Sequence, residues 1–252
     1  MGKVSPSSAQ PRKKPLNKLN PRRRKACKAR TAEKSFAERQ VESEEWRVAV
    51  ADHVLNGKPK MILFYGGKNS YPFSNFSHAP YCAADGRHVN TSEAEYLPIQ
   101  VHHFGLHEFA EKLEKMHNPG EMKRQMGKYF HLQSFKHGNH PKRWTWEKRR
   151  DQVMLQVLQR KFYQNRKARA ALLASGNAFL VEASPDAYWG SGVRAEEPHA
   201  HLGPEHPTFG VNRLGNLLMR VRRQSRLWEA GQKRPEFDPV CRDCGGRKAP
   251  KE

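Results

Sequence analysis

The chain has 252 residues, 37% of them hydrophobic, with a formal net charge of +21 and a pI near 10.1. That length suits one domain plus tails, and the apolar fraction is enough for one core once the tails are set aside. No apolar run approaches the ~18 residues of a membrane span, so no membrane partner is expected. The charge excess points instead to an anionic ligand or polyanion, most often nucleic acid.

Residues 1–40 carry thirteen Lys/Arg and two acidic residues, and Pro6, Pro11, Pro15 and Pro21 break them up. Such a segment cannot bury a core and is expected to be disordered. Its net charge of +11 (thirteen minus two) suits non-specific contact with phosphate backbones. Arg22-Arg23-Arg24-Lys25 reads as a nuclear localisation signal, a nucleic-acid arm or a solubilising cluster. The segment has no apolar stretch of the secretory-leader kind. Cys27, Cys82, Cys241 and Cys244 are too scattered for a disulfide framework, which points to a reducing compartment, nucleus or cytoplasm. The expected organisation is a basic tail over 1–44, a folded domain over 45–230 and a second disordered tail over 231–252.

A loose helical pattern runs from Phe36 to Leu55 and stops at Gly57-Lys58-Pro59. Met61-Ile62-Leu63-Phe64-Tyr65 is apolar and ends at Gly66-Gly67, the pattern of a core strand. Pro72-Phe73-Ser74-Asn75-Phe76 follows as a loop. Its Asn75 is either a turn residue or an amide placed at a pocket. Asp85-Gly86 signals a hairpin with a returning strand from Arg87 to Asn90. Thr91 is an N-cap candidate, with Glu93 in the first turn of the helix it opens and Pro98 expected to interrupt it. Polar helices are expected from Leu106 to Met116 and from Asn118-Pro119 to Gly127-Lys128, then a loop from His131 to Pro141. The strongest helix spans Thr145–Phe162, with Trp146, Val153, Met154, Val157, Leu158 and Phe162 on one stripe. Another runs from Asn165 to Leu173.

Phe179-Leu180-Val181 then reads as a buried strand entering Asp186-Ala187-Tyr188-Trp189-Gly190-Ser191-Gly192. An acid, a flat aromatic surface and two glycines within seven positions suit a sugar-binding loop. They also suit a tight turn with a capping Asp and a core Trp. Val193–Phe209 holds three prolines and three histidines and is expected to be a mobile loop. The last helix is expected over Leu214–Trp228.

The ordered set of these motifs resembles the YbiA-like, or NADAR, family of N-glycosidases. It comprises Phe73-Ser74-Asn75-Phe76, Thr91-Ser92-Glu93, Trp146-Glu147 with Val153-Met154, Lys161-Phe162, Leu180-Val181-Glu182, Asp186-Ala187-Tyr188-Trp189-Gly190 and the block from Gly210 to Arg222. The resemblance implies an α+β fold, mainly helical around a small sheet. It implies cleavage of an N-glycosidic bond, in ribosylamino-pyrimidine phosphates or in ADP-ribosylated guanine. The family's functional Glu, Trp and Asp fall on Glu93, Trp146 and Asp186. Two departures stand out: Ala94 replaces a family His, and His103 stands where one branch has a lysine used as a covalent Schiff-base residue. An imidazole cannot form that intermediate as a primary amine does. A catalytically impaired protein that binds ADP-ribose or nucleic acid is therefore the alternative to an active enzyme.

Breaking a ribose–nitrogen bond needs a negative group near C1′, a proton donor for the leaving nitrogen and an oriented nucleophile. Glu93 is expected as acid/base and Asp186 as the group that stabilises the cation or orients water, and the reverse assignment stays open. Trp146 is the preferred pocket residue and Trp189 the structural one, though either can stack on a base. Asn75, Asn212 and His103 complete the substrate-binding candidates. No cofactor and no metal are expected: Cys241 and Cys244 form half a zinc site without a second pair.

Overall fold

The computed structural model describes residues 61–66, 72–132, 142–197, 203–204 and 206–232. All of them fall within the unit Val41–Glu252. The expected helix over 36–55, the basic tail, nearly all of the C-terminal tail, the whole of 133–141 and part of the 193–209 loop lie outside the described residues.

Among the described residues ten elements follow in order: β1 (Met61–Phe64), β2 (Tyr81–Cys82), β3 (His88–Val89), α1 (Ser92–His103), α2 (His107–Glu114), α3 (Pro119–Leu132), α4 (Arg143–Gln164), α5 (Arg166–Ala174), β4 (Phe179–Glu182) and α6 (Arg213–Glu229). The architecture is α+β and mainly helical. Among the described residues the strands form two small two-stranded sheets, in keeping with the α+β fold expected. β1 and β4 pair in parallel, from Met61 opposite Phe179 to Phe64 opposite Glu182. β4 reads as a continuous apolar run because α6 packs on it, and Phe179, Leu180 and Val181 are fully enclosed, whereas Met61, Ile62 and Leu63 of β1 are half-buried. β2 and β3 form the hairpin signalled by Asp85-Gly86. The side-chain amide of Gln164 completes its edge, accepting from Cys82 N and donating to Cys82 O, both at 2.9 Å. Cys82 is disulfide-bonded.

α1 begins as the sequence suggests: Thr91 Oγ1 accepts the Ala94 N–H at 3.2 Å. Pro98 does not interrupt it. A proline within a helix removes one hydrogen bond and strains the preceding turn. Here Pro98 is buried, and α1 is held against α2, α3 and α4, so tertiary packing overrides the local cost. Inside that packing, Glu95 and Arg160 form a buried ion pair at 2.6 Å that ties α1 to α4. α3 likewise runs on through Gly127, where an added Cβ would meet nothing within 4 Å. α4 is the central apolar helix, with Met154, Val157, Leu158 and Phe162 in the core.

Candidate active site

Ligand sites in α/β arrangements form beyond the carboxyl ends of parallel strands, where the chain leaves the sheet. The same geometry recurs here. Tyr65 and Gly66 leave β1, and Ser184, Pro185 and Asp186 follow β4. Together with α1, α3 and the 72–77 loop they enclose a cavity of about 660 Å³, within the usual range for small-molecule sites. Glu93, Glu182 and Asp186 all line it, as do Asn75, Trp189 and Lys123.

Each acid reaches the cavity by a different device. Glu93 sits in the first turn of α1, and its backbone N–H donates to Asn75 O at 3.1 Å. The 72–77 loop is thereby laid across the start of the helix. The buried ammonium of Lys161 holds the same loop from below, donating to Ser74 O at 3.0 Å. Burial raises the pKa of Glu93, and the Lys123 charge opposes that shift.

Asp186 is exposed, and its Oδ1 accepts the N–H groups of Tyr188 at 2.8 Å and Trp189 at 3.0 Å. This is the local turn that the sequence allowed as its plainer meaning, and it coexists with a place on the cavity wall. Backbone hydrogen bonds fasten the turn to the start of α6: Val211 N to Ala187 O at 2.8 Å and Leu214 N to Trp189 O at 3.0 Å. Gly190 is required by this close approach. A Cβ there would meet Ser184 Oγ and lie 2.7 Å from Glu182 O.

Glu182 is the acid that residue-by-residue reasoning missed. It ends β4, and its Oε2 is enclosed without a hydrogen-bond partner. Burial pushes its pKa up to about 7, Lys123 pulls it down, and the neighbouring charges of Asp186 and Glu93 push it up again. The signal available in the sequence was a carboxylate closing an otherwise apolar strand, Phe179-Leu180-Val181-Glu182, where charge is out of place. Asn75 Oδ1 and Ser184 Oγ on the same wall also lack partners. Three unpartnered buried oxygens around one cavity are positions that a ligand's polar groups can satisfy.

The aromatic roles are exchanged relative to expectation. Trp189 is half-buried on the cavity wall, in edge contact with Tyr96 at 5.7 Å. Trp146 is buried behind it, packed against Tyr96 and Phe104, because its face of α4 points into the apolar core. Asn212 and His103 are also set apart from the cavity. Asn212 is wholly buried as a clamp on β4. His103 Nε2 contacts Lys142 O at 3.1 Å and Thr145 Oγ1 at 3.0 Å, at the far end of α1. Lys123, which the sequence did not single out, is the one cation among the described lining residues. Its Nζ lies 5.5 Å from the Phe76 ring centre. Among the described residues no group of three or more His, Cys, Asp or Glu is placed to hold a metal. No described helix is long and apolar enough to cross a membrane. Cys241 and Cys244 lie outside the described residues.

Residues 63–226 match the NADAR domain family. The chain belongs to the NADAR family. Relatives of this NADAR chain include the N-glycosidase YbiA of Escherichia coli K12 and that of Shigella boydii serotype 4. Each is 34% identical over 174 residues, covering 68% of this chain and 91% of the relative. An N-glycosidase of Acanthamoeba polyphaga mimivirus is 37% identical over 81 residues, 32% of this chain and 46% of the relative. The NMR structure of E. coli YbiA superposes with a TM-score of 0.52 at 30% identity, covering 71% of the NADAR chain described here and 92% of YbiA.

Proposed function

We propose that this NADAR protein is an N-glycosidase that hydrolyses the bond between ribose C1′ and a base nitrogen in an N-ribosyl or ADP-ribosyl adduct. Its relatives' activity supports the reaction class. The observation that carries the reading is the convergence of Glu93, Glu182 and Asp186 on one cavity beside Trp189 and Asn75.

Cleavage puts positive charge on C1′ and negative charge on the leaving nitrogen. Three neighbouring carboxyl groups do not all ionise together. Burial raises the pKa of both Glu93 and Glu182, and Glu182, whose Oε2 is left without a partner at the cavity, is assigned the proton. It holds its proton up to a pH of about 7 and donates it to the leaving nitrogen. Asp186, its direction fixed by two N–H donors, faces the developing cation. Glu93 takes a proton from the attacking water. Trp189 offers the base a stacking surface, Asn75 Oδ1 accepts from a ribose hydroxyl, and the Lys123 ammonium pairs with the phosphate that both adduct classes carry.

A second reading has a specific observation behind it. Ala94 removes one family side chain, and His103, standing at the family lysine position, does not line the cavity. On that reading the cavity binds ADP-ribose without turnover. Incubating the protein with a ribosylamino-pyrimidine phosphate and with ADP-ribosylated guanosine decides the matter. Release of free base or ribose product supports hydrolysis. No product from either, with measurable ADP-ribose binding, decides for the binder.

A further inference from the structure

Trp144 stands out among the described large apolar side chains: it is 63% exposed, at the start of α4. An exposed tryptophan offers a large flat apolar surface to a partner. Its neighbours state the partner's chemistry. Lys148, one turn on, places its Nζ 3.3 Å from the ring centre. Lys142, Arg143 and Arg149 lie within five residues of it and are exposed, with Arg149 Nη1 3.4 Å from His103 Nδ1. Glu147 is the single carboxylate between 142 and 149, and it is taken up by Arg143 at 3.0 Å. Further along the same exposed stripe stand Gln152 and Gln156, neutral amides with both donors and acceptors.

The cations run against local preference. The first turn of α4 holds no acidic residue, and Lys142 at the cap position makes no side-chain cap. Positive charge there opposes the helix dipole, which helix stability alone would not select. An aromatic face carrying the Lys148 ammonium, on a cation-rich helix start and continued by amides, is the chemistry that recognises unpaired nucleotides. The ring stacks on a base, the ammonium and guanidinium groups follow phosphates, and no sequence is read.

We propose that the Trp144 face of α4 is a binding site for single-stranded nucleic acid, separate from the cavity. Its position suits an accessory role. Trp144 is ten residues from Met154, which lines the cavity, or about 15 Å along a helix rising 1.5 Å per residue. A strand stacked on Trp144 thus passes within two or three nucleotides of the cavity. The inference stands apart from the proposed hydrolysis, since the site binds whether or not the cavity turns over.

The test uses the full chain and labelled twelve-nucleotide oligo-dT and oligo-U, with a duplex of the same length as control, followed by fluorescence anisotropy. Trp144→Ala is expected to weaken single-strand binding about tenfold, the loss of one stacked base, while leaving duplex binding within a factor of about two. Trp144→Phe should keep most of the affinity, because a phenyl ring still stacks. Lys148→Gln should lower the slope of log K against log salt by about 1, whereas Trp144→Ala leaves that slope unchanged. Activity on a small ribosyl substrate should not change in any of the three. Because Trp144 is exposed, circular dichroism of the variants should match the parent. Two results overturn the proposal: equal single-strand affinity of Trp144→Ala and parent, with all binding lost on removing residues 1–40, or equal losses for Trp144→Ala and Trp144→Phe.

Discussion

Asn212 grips the strand that ends in Glu182. Its Oδ1 accepts the Glu182 backbone N–H at 3.0 Å, and its Nδ2 donates to Leu180 O at 2.8 Å. It does this from a left-handed backbone conformation, φ 50, that asparagine tolerates better than most residues. The residue therefore reaches the chemistry through another side chain. Asn212→Ala orphans a buried donor and a buried acceptor and should cost about 2–4 kcal/mol in urea unfolding. kcat should fall with it as Glu182 loses its fixed position. Asn212→Asp keeps the acceptor but turns a carboxylate oxygen toward the Leu180 carbonyl, so it should be no more stable than the alanine variant at neutral pH. Normal stability in Asn212→Ala would show that the clamp is dispensable.

Glu182→Gln removes a titrating proton while keeping the volume. A pKa of about 7 for the donor means that activity is full below that pH and declines above it, as the carboxyl loses its proton. The parent enzyme should therefore show an alkaline fall in kcat centred near that value. In Glu182→Gln, kcat should drop by about 10²-fold or more, and the fall should disappear from what activity remains. An unchanged alkaline limb in the variant would assign the limb to another group.

Most elements were legible because their physics is local. The Phe179-Leu180-Val181 run, the Asp85-Gly86 turn and the Thr91 cap each announce themselves within a few residues, and each is where it was expected. Pro98 misled because its penalty is local and the packing that outweighs it is not. Among the residues lining the cavity, Glu93 and Asp186 were expected from the family motifs, but Lys123 was not: one of two lysines in its helix carries no sign of which faces the cavity. The two tryptophans show the same limit. Both lie in aromatic-rich surroundings, and only the direction of α4 decides that Trp146 faces inward while Trp189 meets the cavity.

That exchange makes a direct comparison. Trp146→Ala should act on folding, costing about 3–5 kcal/mol as a buried aromatic leaves a hole in the core. Trp189→Ala should act on binding, raising KM or the ADP-ribose Kd about tenfold or more for a lost stacking surface, with less than half that stability cost. Chemical denaturation and calorimetric titration on the same two preparations separate the effects. The opposite ranking, with Trp146→Ala stable but unable to bind, would place Trp146 in the site after all.

Lys161 offers a test of the loop that carries Asn75. It is fully enclosed, and its one hydrogen bond holds Ser74 O at 3.0 Å. Burial lowers its pKa to about 7 from the ordinary 10.5. The unfolded chain therefore binds more protons than the folded one between those two values, and stability rises with pH across that window. The contribution is complete above about 10.5 and is lost as pH falls through about 7. Lys161→Met removes this dependence but leaves the Ser74 carbonyl without its donor, at a cost of about 1–3 kcal/mol. Unfolding free energies measured between pH 6.5 and 9.5 should therefore diverge. The parent should gain on the variant by on the order of 1 kcal/mol per pH unit above about 7. Parallel curves would mean that the ammonium keeps its proton in the folded protein, held by more than Ser74.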